Sequence, residues 1–124
     1  MSDTNITTQI GRLTRDPELR RIPSGTAICS FSIAVNDWNN RDKEEYPNFF
    51  EVKVWAETGE RCAEYLSKGS LILVEGKLRQ ERWESEGKQR SKVVIIAKRV
   101  QFLEKKKQQE DVEPDPDMDG KYPF

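Results

Sequence analysis

Aromatic and basic side chains occur at alternating positions in two segments of the sequence. An aromatic ring can stack on the flat face of a nucleic-acid base, which contributes about 1 to 3 kcal/mol per base, and a Lys or Arg can neutralise a phosphate. Because a duplex hides its base faces, this combination favours single strands and needs no base-specific hydrogen bonds. The residues are Phe49, Lys53 and Trp55 in one segment and Lys77, Arg79 and Trp83 in the other.

Residue types needed for other chemistry are scarce. The sequence has no histidine, which removes the usual general base and the commonest zinc ligand. Its two cysteines, Cys29 and Cys62, are far apart in sequence and fall at positions predicted to be buried, which indicates inert thiols in a reducing cytoplasm. No signal peptide or membrane-spanning segment is predicted. We therefore expect no enzyme activity, no cofactor and no metal.

Charge divides the chain into two parts. Residues 1–107 contain 20 Lys and Arg against 16 Asp and Glu, whereas residues 108–124 contain one lysine against six acidic residues. A basic body with an acidic, proline-containing end predicts a polyanion-binding domain at residues 1–105 and a disordered interaction tail at residues 106–124. A tail that only increases solubility is the alternative.

Alternation of apolar and polar residues predicts five strands, at residues 5–13, 25–35, 48–57, 70–83 and 90–98. A helix is predicted from Thr58, as N-cap, to Lys68, with Gly69 ending it and Cys62, Tyr65 and Leu66 facing the sheet. Five strands with a helix between the third and fourth is the order of an OB-fold barrel in the all-β class. A small α+β sandwich is the alternative.

The sequence resembles the bacterial-type single-stranded DNA-binding proteins, a family of homotetrameric OB-fold proteins. The resemblance covers residues 5 to about 103 in the family's order. Four segments carry it, namely IGRLTRDPELR from Ile10, NFFEVKVW from Asn48, EYLSKGS from Glu64 and VEGKLRQERW from Val74.

This resemblance implies roles for individual residues. Base stacking falls on Trp38, Phe49, Trp55 and Trp83, although Trp38 is equally well explained as an anchor of the polar loop at residues 39–45. The binding of single-stranded DNA without sequence preference is expected to use these phosphate-binding residues: Arg15, Arg21, Lys53, Lys77, Arg79, Arg82, Lys88 and Arg90.

The acidic end also matches the family, whose chains close with Pro-Phe. The resemblance implies that this tip docks onto replication, recombination and repair proteins in the cytoplasm, near the nucleoid. A homotetramer is expected, with a dimer as the alternative. The predicted docking residues are Asp115, Asp117, Asp119, Tyr122, Pro123 and Phe124.

Other interpretations remain open at this point. A slip in strand register would turn the aromatic residues into core or subunit-interface residues. An OB-fold module that binds protein, or one that binds single-stranded RNA, is also compatible with the sequence. A magnesium-dependent nuclease would need carboxylates such as Asp16, Glu18, Asp37 and Asp42, but these fall in predicted turns with ordinary structural explanations.

Overall fold

Strands of alternating apolar and polar residues form a closed sheet in this protein. The structure is a computed structural model and describes residues 3–104. The predicted tail at residues 106–124 lies outside that range. The elements are β1 (Thr7–Leu13), β2 (Glu18–Arg21), β3 (Ala27–Asn39), β4 (Glu44–Trp55), α1 (Ala56–Tyr65), β5 (Leu71–Ser85) and β6 (Lys88–Phe102).

The strands are arranged in the order β1-β5-β6-β4-β3-β2, and the sheet closes because the end of β1 also pairs with β3. At the closure Arg12 lies opposite Ala34 and Leu13 opposite Ile33. β4 and β6 are parallel, and the other paired strands are antiparallel. The expected OB-fold barrel, with a helix before the fourth barrel strand, is therefore confirmed. The short strand β2, which adds to the edge of β3, was not predicted.

The core lies inside this barrel and is built by one face of each long strand. Inward positions on β3, β4 and β5 are filled by branched and aromatic side chains, as period-2 alternation predicts. Burial raises the pKa of Cys29 to about 11 and the pKa of Cys62 to about 12, so both thiols are neutral at physiological pH. The central buried residues are Leu13, Cys29, Phe31, Ile33, Val52, Val54, Cys62, Leu66, Ile72, Val74 and Ile95.

The predicted bounds of the helix are wrong at both ends. α1 begins directly after β4, and its N-cap is the extended Trp55, which makes no side-chain capping bond, rather than Thr58. It ends at Tyr65, because Leu66 is extended and is buried in the core. Cys62 and Leu66 are buried as predicted, but Tyr65 is 43% exposed and lies beside Phe102.

Glycine allows α1 to approach the sheet closely. A Cβ atom at Gly59 would overlap the carbonyl oxygen of Val54 on β4. The backbone of α1 therefore packs directly on β4. This contact fixes the end of the strand, where the aromatic Trp55 stands.

Two hairpins extend the sheet. β3 continues to Asn39 and β4 begins at Glu44, so the predicted polar loop is confined to residues 40–43 and its outer residues belong to strands. The second hairpin joins β5 to β6 through Glu86 and Gly87, whose φ values of 53° and 77° are typical of a type I′ turn. Gly76 within the alternating pattern of residues 70–83 is typical of a bend or bulge, and the register of β5 against β6 does shift between Glu75 and Gly76.

Candidate nucleic-acid interface

The strand register places all four predicted stacking residues on one side of the sheet. Directly paired residues point to the same side, and the pairing of Phe31 with Val52 defines the core side of β3 and β4. The opposite side, which we call the outer face, has even-numbered residues on β3, odd-numbered ones on β4 and β5, and even-numbered ones on β6 as far as Ile96. It carries Trp38, 52% exposed, Phe49, 65%, Trp55, 37%, and Trp83, 42%.

Trp55 stands at the junction of β4 and α1. Its backbone is extended, and the next residue, Ala56, has a φ of 59°, which turns the chain abruptly into the helix. Positive φ is uncommon for residues other than glycine. Trp55 pairs with Ile28 of β3, which is only 6% exposed although it also belongs to the outer face.

The surroundings of Trp38 are compatible with both roles that the sequence left open. Its indole N–H donates a hydrogen bond of 2.7 Å to Oδ1 of Asn40 in the hairpin turn. The side chain nevertheless keeps about half of its surface exposed. Anchoring by one edge of the ring is therefore compatible with an accessible aromatic surface.

Trp83 lies in a shallow depression where β5 and β6 extend beyond the barrel. The ammonium of Lys92 is 5.7 Å from the centroid of its ring, within the range of a cation–π contact. The depression is also lined by Arg79 and Glu81 from the same face. An aromatic surface and cationic groups are thus adjacent here, in the combination that a nucleotide can contact with both base and phosphate.

Two ion pairs lie among the aromatic residues. The Nζ atom of Lys53 is 2.7 Å from Oε2 of Glu81, and Nζ of Lys92 is 2.7 Å from Oε2 of Glu51. The hydrogen bond from Lys92 lowers the pKa of Glu51, as do the nearby charges of Lys92, Lys53 and Arg15, so this carboxylate stays ionised. Arg15 thereby also lies near the outer face.

The predicted phosphate-binding residues do not all gather on the outer face. Arg21 makes an ion pair of 3.1 Å with Glu60 of α1, on the other side of β2. Arg82 is also on the opposite side of its strand, and it donates a 2.8 Å hydrogen bond to Gln80. The register brings these predicted residues to the outer face: Lys53, Lys77, Arg79, Lys88 and Arg90.

Two basic residues of this face were not among the predicted site residues. Arg20 pairs with Ile28, which in turn pairs with Trp55, so Arg20 rather than Arg21 lies on the aromatic side. The missing signal was β2 itself, whose four residues are too few for alternation to be recognised. Lys92 could have been found from its spacing of two residues from Arg90, which places both on one side of β6.

Three of the four carboxylates considered for magnesium accept hydrogen bonds within the chain. Oδ1 of Asp16 accepts a 2.8 Å hydrogen bond from the backbone N–H of Lys68. Asp37 accepts one from the hydroxyl of Tyr46, and Asp42 accepts one from the amide of Asn39. Within residues 3–104 no group of three or more cysteine or acidic side chains is arranged to hold a metal ion.

Over the same residues, the structure contains no helix long and apolar enough to cross a membrane. α1 has only 10 residues, and its side chains are mostly exposed and polar.

Comparison with known proteins gives a consistent result. A relative in Treponema pallidum named single-stranded DNA-binding protein is 48% identical over 83% of this chain, and the match covers 60% of that protein. The protein of the same name in Aquifex aeolicus is 46% identical over 79% of the chain and 69% of its own length. Single-stranded DNA-binding protein 1 of Synechocystis is 38% identical over 79% of the chain and 82% of its own length.

The chain thus spans less than two thirds of the Treponema relative. The model of the single-strand binding protein family matches residues 4–103, which include all of the barrel and the whole outer face. This chain belongs to the single-strand binding protein family.

Proposed function

We propose that this chain binds single-stranded DNA without sequence preference, by stacking bases on the outer face and neutralising phosphates around it. The observation that carries the proposal is the common exposure of Trp38, Phe49, Trp55 and Trp83 on one side of a closed barrel. Burying one large apolar side chain contributes roughly 1.5 to 3 kcal/mol, so a set of exposed ones on one surface favours a ligand that covers them. The names of the relatives supply the ligand class.

Several Lys and Arg side chains are available to bind the phosphate backbone of DNA. Within residues 3–104, Arg20, Lys77, Arg79 and Arg90 make no ion pair, so a phosphate meets no internal competitor at these side chains. Arg15 adds to them from the segment between β1 and β2. Together they surround the aromatic residues, as a single strand with its bases turned inward requires.

We include self-association in the proposal, with a homotetramer as the expected state. Ile6 is 76% exposed and Ile10 on β1 is 45% exposed, which supports a subunit contact along this strand. Sedimentation equilibrium tests this state. A mass of four chains is expected, and the mass of one chain would contradict the proposal.

The acidic end belongs to the proposal as a docking segment for replication, recombination and repair proteins. Asp115, Asp117 and Asp119 supply negative charge, and Tyr122, Pro123 and Phe124 supply an apolar end. Deleting Phe124 is expected to leave oligonucleotide affinity unchanged and to abolish binding of such a protein to the immobilised chain. Equal capture by the full chain and the shortened one would overturn this part.

Fluorescence anisotropy of a labelled oligo-dT tests the central proposal. Unlabelled single-stranded DNA of mixed sequence should displace the label, whereas duplex DNA at the same nucleotide concentration should not. A single-stranded RNA competitor separates a general single-strand binder from a DNA-selective one through its 2′-hydroxyl groups. Displacement by duplex alone, or no binding of the label, would reject the proposal and favour an OB-fold module that binds protein.

A further inference from the structure

An ion pair crosses the middle of the outer face. Nζ of Lys53 on β4 lies 2.7 Å and 3.0 Å from the two carboxylate oxygens of Glu81 on β5. Since β6 lies between these strands in the sheet, the bridge passes over β6. There Val94 faces the same side and is only 1% exposed. We call this pair the strap.

The strap is the most enclosed ion pair within residues 3–104. Its side chains are 18% and 24% exposed, whereas no other pair in this part of the chain has both partners below a quarter. Enclosure matters because salt screens exposed charges strongly and partly buried pairs much less. Dissolved salt therefore weakens the attraction between Lys53 and Glu81 less than it weakens the attraction within the exposed pairs.

Any phosphate that approaches Lys53 meets this carboxylate first. It must either displace Glu81, which would then face the DNA as an unpaired negative charge, or pass elsewhere. Lys77, Arg79 and Arg90 lie on the same face and are not paired within the described part of the chain. Their positions allow the phosphate backbone of DNA to cross the outer face without contacting the strap.

We propose that Glu81 is a resident competitor of phosphate for Lys53, and that it lowers both the affinity for single strands and its dependence on salt. This inference rests on the proposed function. In the native protein the strap carries no net charge and releases no counterion when DNA binds. The phosphates contact the unpaired cations around it, and Lys53 serves to hold Glu81.

A double-mutant cycle with Glu81→Gln and Lys53→Met tests this arrangement by oligo-dT anisotropy between 50 and 200 mM salt. Freeing Lys53 with Glu81→Gln should tighten binding about fivefold at low salt, the effect of one charge pair at about 4 Å in water. It should also steepen the log–log salt slope by about 0.7, an additional loss of about 2.5-fold over this range. Lys53→Met should weaken binding, because Glu81 is then uncompensated.

The double variant carries the decisive result. If Glu81 competes for Lys53, removing both returns affinity and salt slope to those of the native chain. If Lys53 contacts phosphate directly, the double variant binds as weakly as Lys53→Met, and the inference is overturned. Lys53→Gln, which removes the charge but keeps a polar side chain beside Glu81, replaces Lys53→Met in the cycle should the apolar variant fail to fold.

Glu84→Gln is the matched control. It makes the same change in net charge on the same strand, but Glu84 lies on the opposite side of β5 and is exposed. Equal tightening by Glu84→Gln and Glu81→Gln would reduce the effect to overall charge and reject the strap as its source. Absence of binding by the native chain would instead reject the proposed function. This outcome is distinct from failure of the strap inference, in which the native chain binds but the variants do not differ as expected.

Discussion

Each aromatic side chain of the outer face is tested individually by truncation. Trp55→Ala and Trp83→Ala are each expected to weaken oligo-dT binding by roughly 1 to 3 kcal/mol, the contribution of one stacked base. Both should remain folded, because neither ring belongs to the core cluster. Anisotropy titration gives the affinity and circular dichroism checks the fold.

Tyr46→Ala is the control for these truncations. Tyr46 is on β4 and is 45% exposed, but it faces the side opposite to Trp55. Removing it should leave affinity unchanged. A loss as large as that of Trp55→Ala would show that exposed aromatic surface in general, rather than the outer face, binds the strand.

Backbone strain is located at Ala56, next to Trp55. At a φ of 59°, the Cβ atom of Ala56 causes steric strain that glycine, which has no Cβ atom, would not have. Ala56→Gly should therefore raise the free energy of unfolding by about 1 kcal/mol. The control Ala63→Gly, inside the same helix, should lower it by at least about 1 kcal/mol. Urea denaturation measures both, and a loss of stability in Ala56→Gly would contradict the strain.

The buried thiols predict an alkaline limit to stability. Their pKa values rise from about 9 in the unfolded chain to about 11 for Cys29 and about 12 for Cys62. Above pH 9 the unfolded chain loses these protons while the folded one keeps them, so stability falls as the pH rises toward 11. Urea midpoints at pH 8 and pH 10 should differ less for Cys62→Ala than for the native chain. An identical difference would mean that Cys62 does not contribute.

Local alternation allowed residues such as Phe49, Trp55 and Trp83 to be placed on one side from the sequence. Period 2 needs only neighbouring residues, and the bulge at Gly76 did not disturb it on β5. The partner of Lys53 could not be predicted, since Glu81 is 28 residues away and meets it only across β6. Long-range pairing depends on register, which no local pattern contains.

At the scale of elements, the contact of α1 with β4 depends on Gly59. Gly59→Ala would normally favour a helix, but the added methyl group would overlap the carbonyl oxygen of Val54. We expect a loss of about 1 to 3 kcal/mol, typical of overpacking, in the free energy of unfolding. Thr58→Ala, at an exposed neighbouring position, is the control and should cause no such loss. Equal stability of the two variants would contradict the close approach.

The errors in the predicted elements have physical causes. The helix lacks a side-chain cap because β4 supplies an extended residue immediately before it, so Thr58 was a misleading signal. The helix ends before the predicted last turn because burial of Leu66 in the core stabilises the fold more than a further helical turn would. Tertiary burial here overrides local helix propensity. Barrel closure by two residue pairs between β1 and β3 is likewise invisible to alternation.

On the scale of the whole molecule, placement of charge matters more than its total. Residues 3–104 contain 17 Lys and Arg against 16 Asp and Glu, so this part of the chain is almost neutral. Affinity for a polyanion must then come from segregation, with carboxylates such as Glu60 paired on other surfaces. The sequence-based division at Lys107 detected the acidic end but not this segregation within the domain.

Quenching of intrinsic tryptophan fluorescence by oligo-dT reports directly whether bases stack on the outer face. Trp38, Trp55 and Trp83 are the only tryptophans of the chain, and all three lie on the outer face. A stacked base should quench them strongly at low salt and less at a given DNA concentration as salt is raised, while duplex DNA should have little effect. Binding seen by anisotropy without any quenching would reject base stacking on the outer face, because the strand would then lie on another surface.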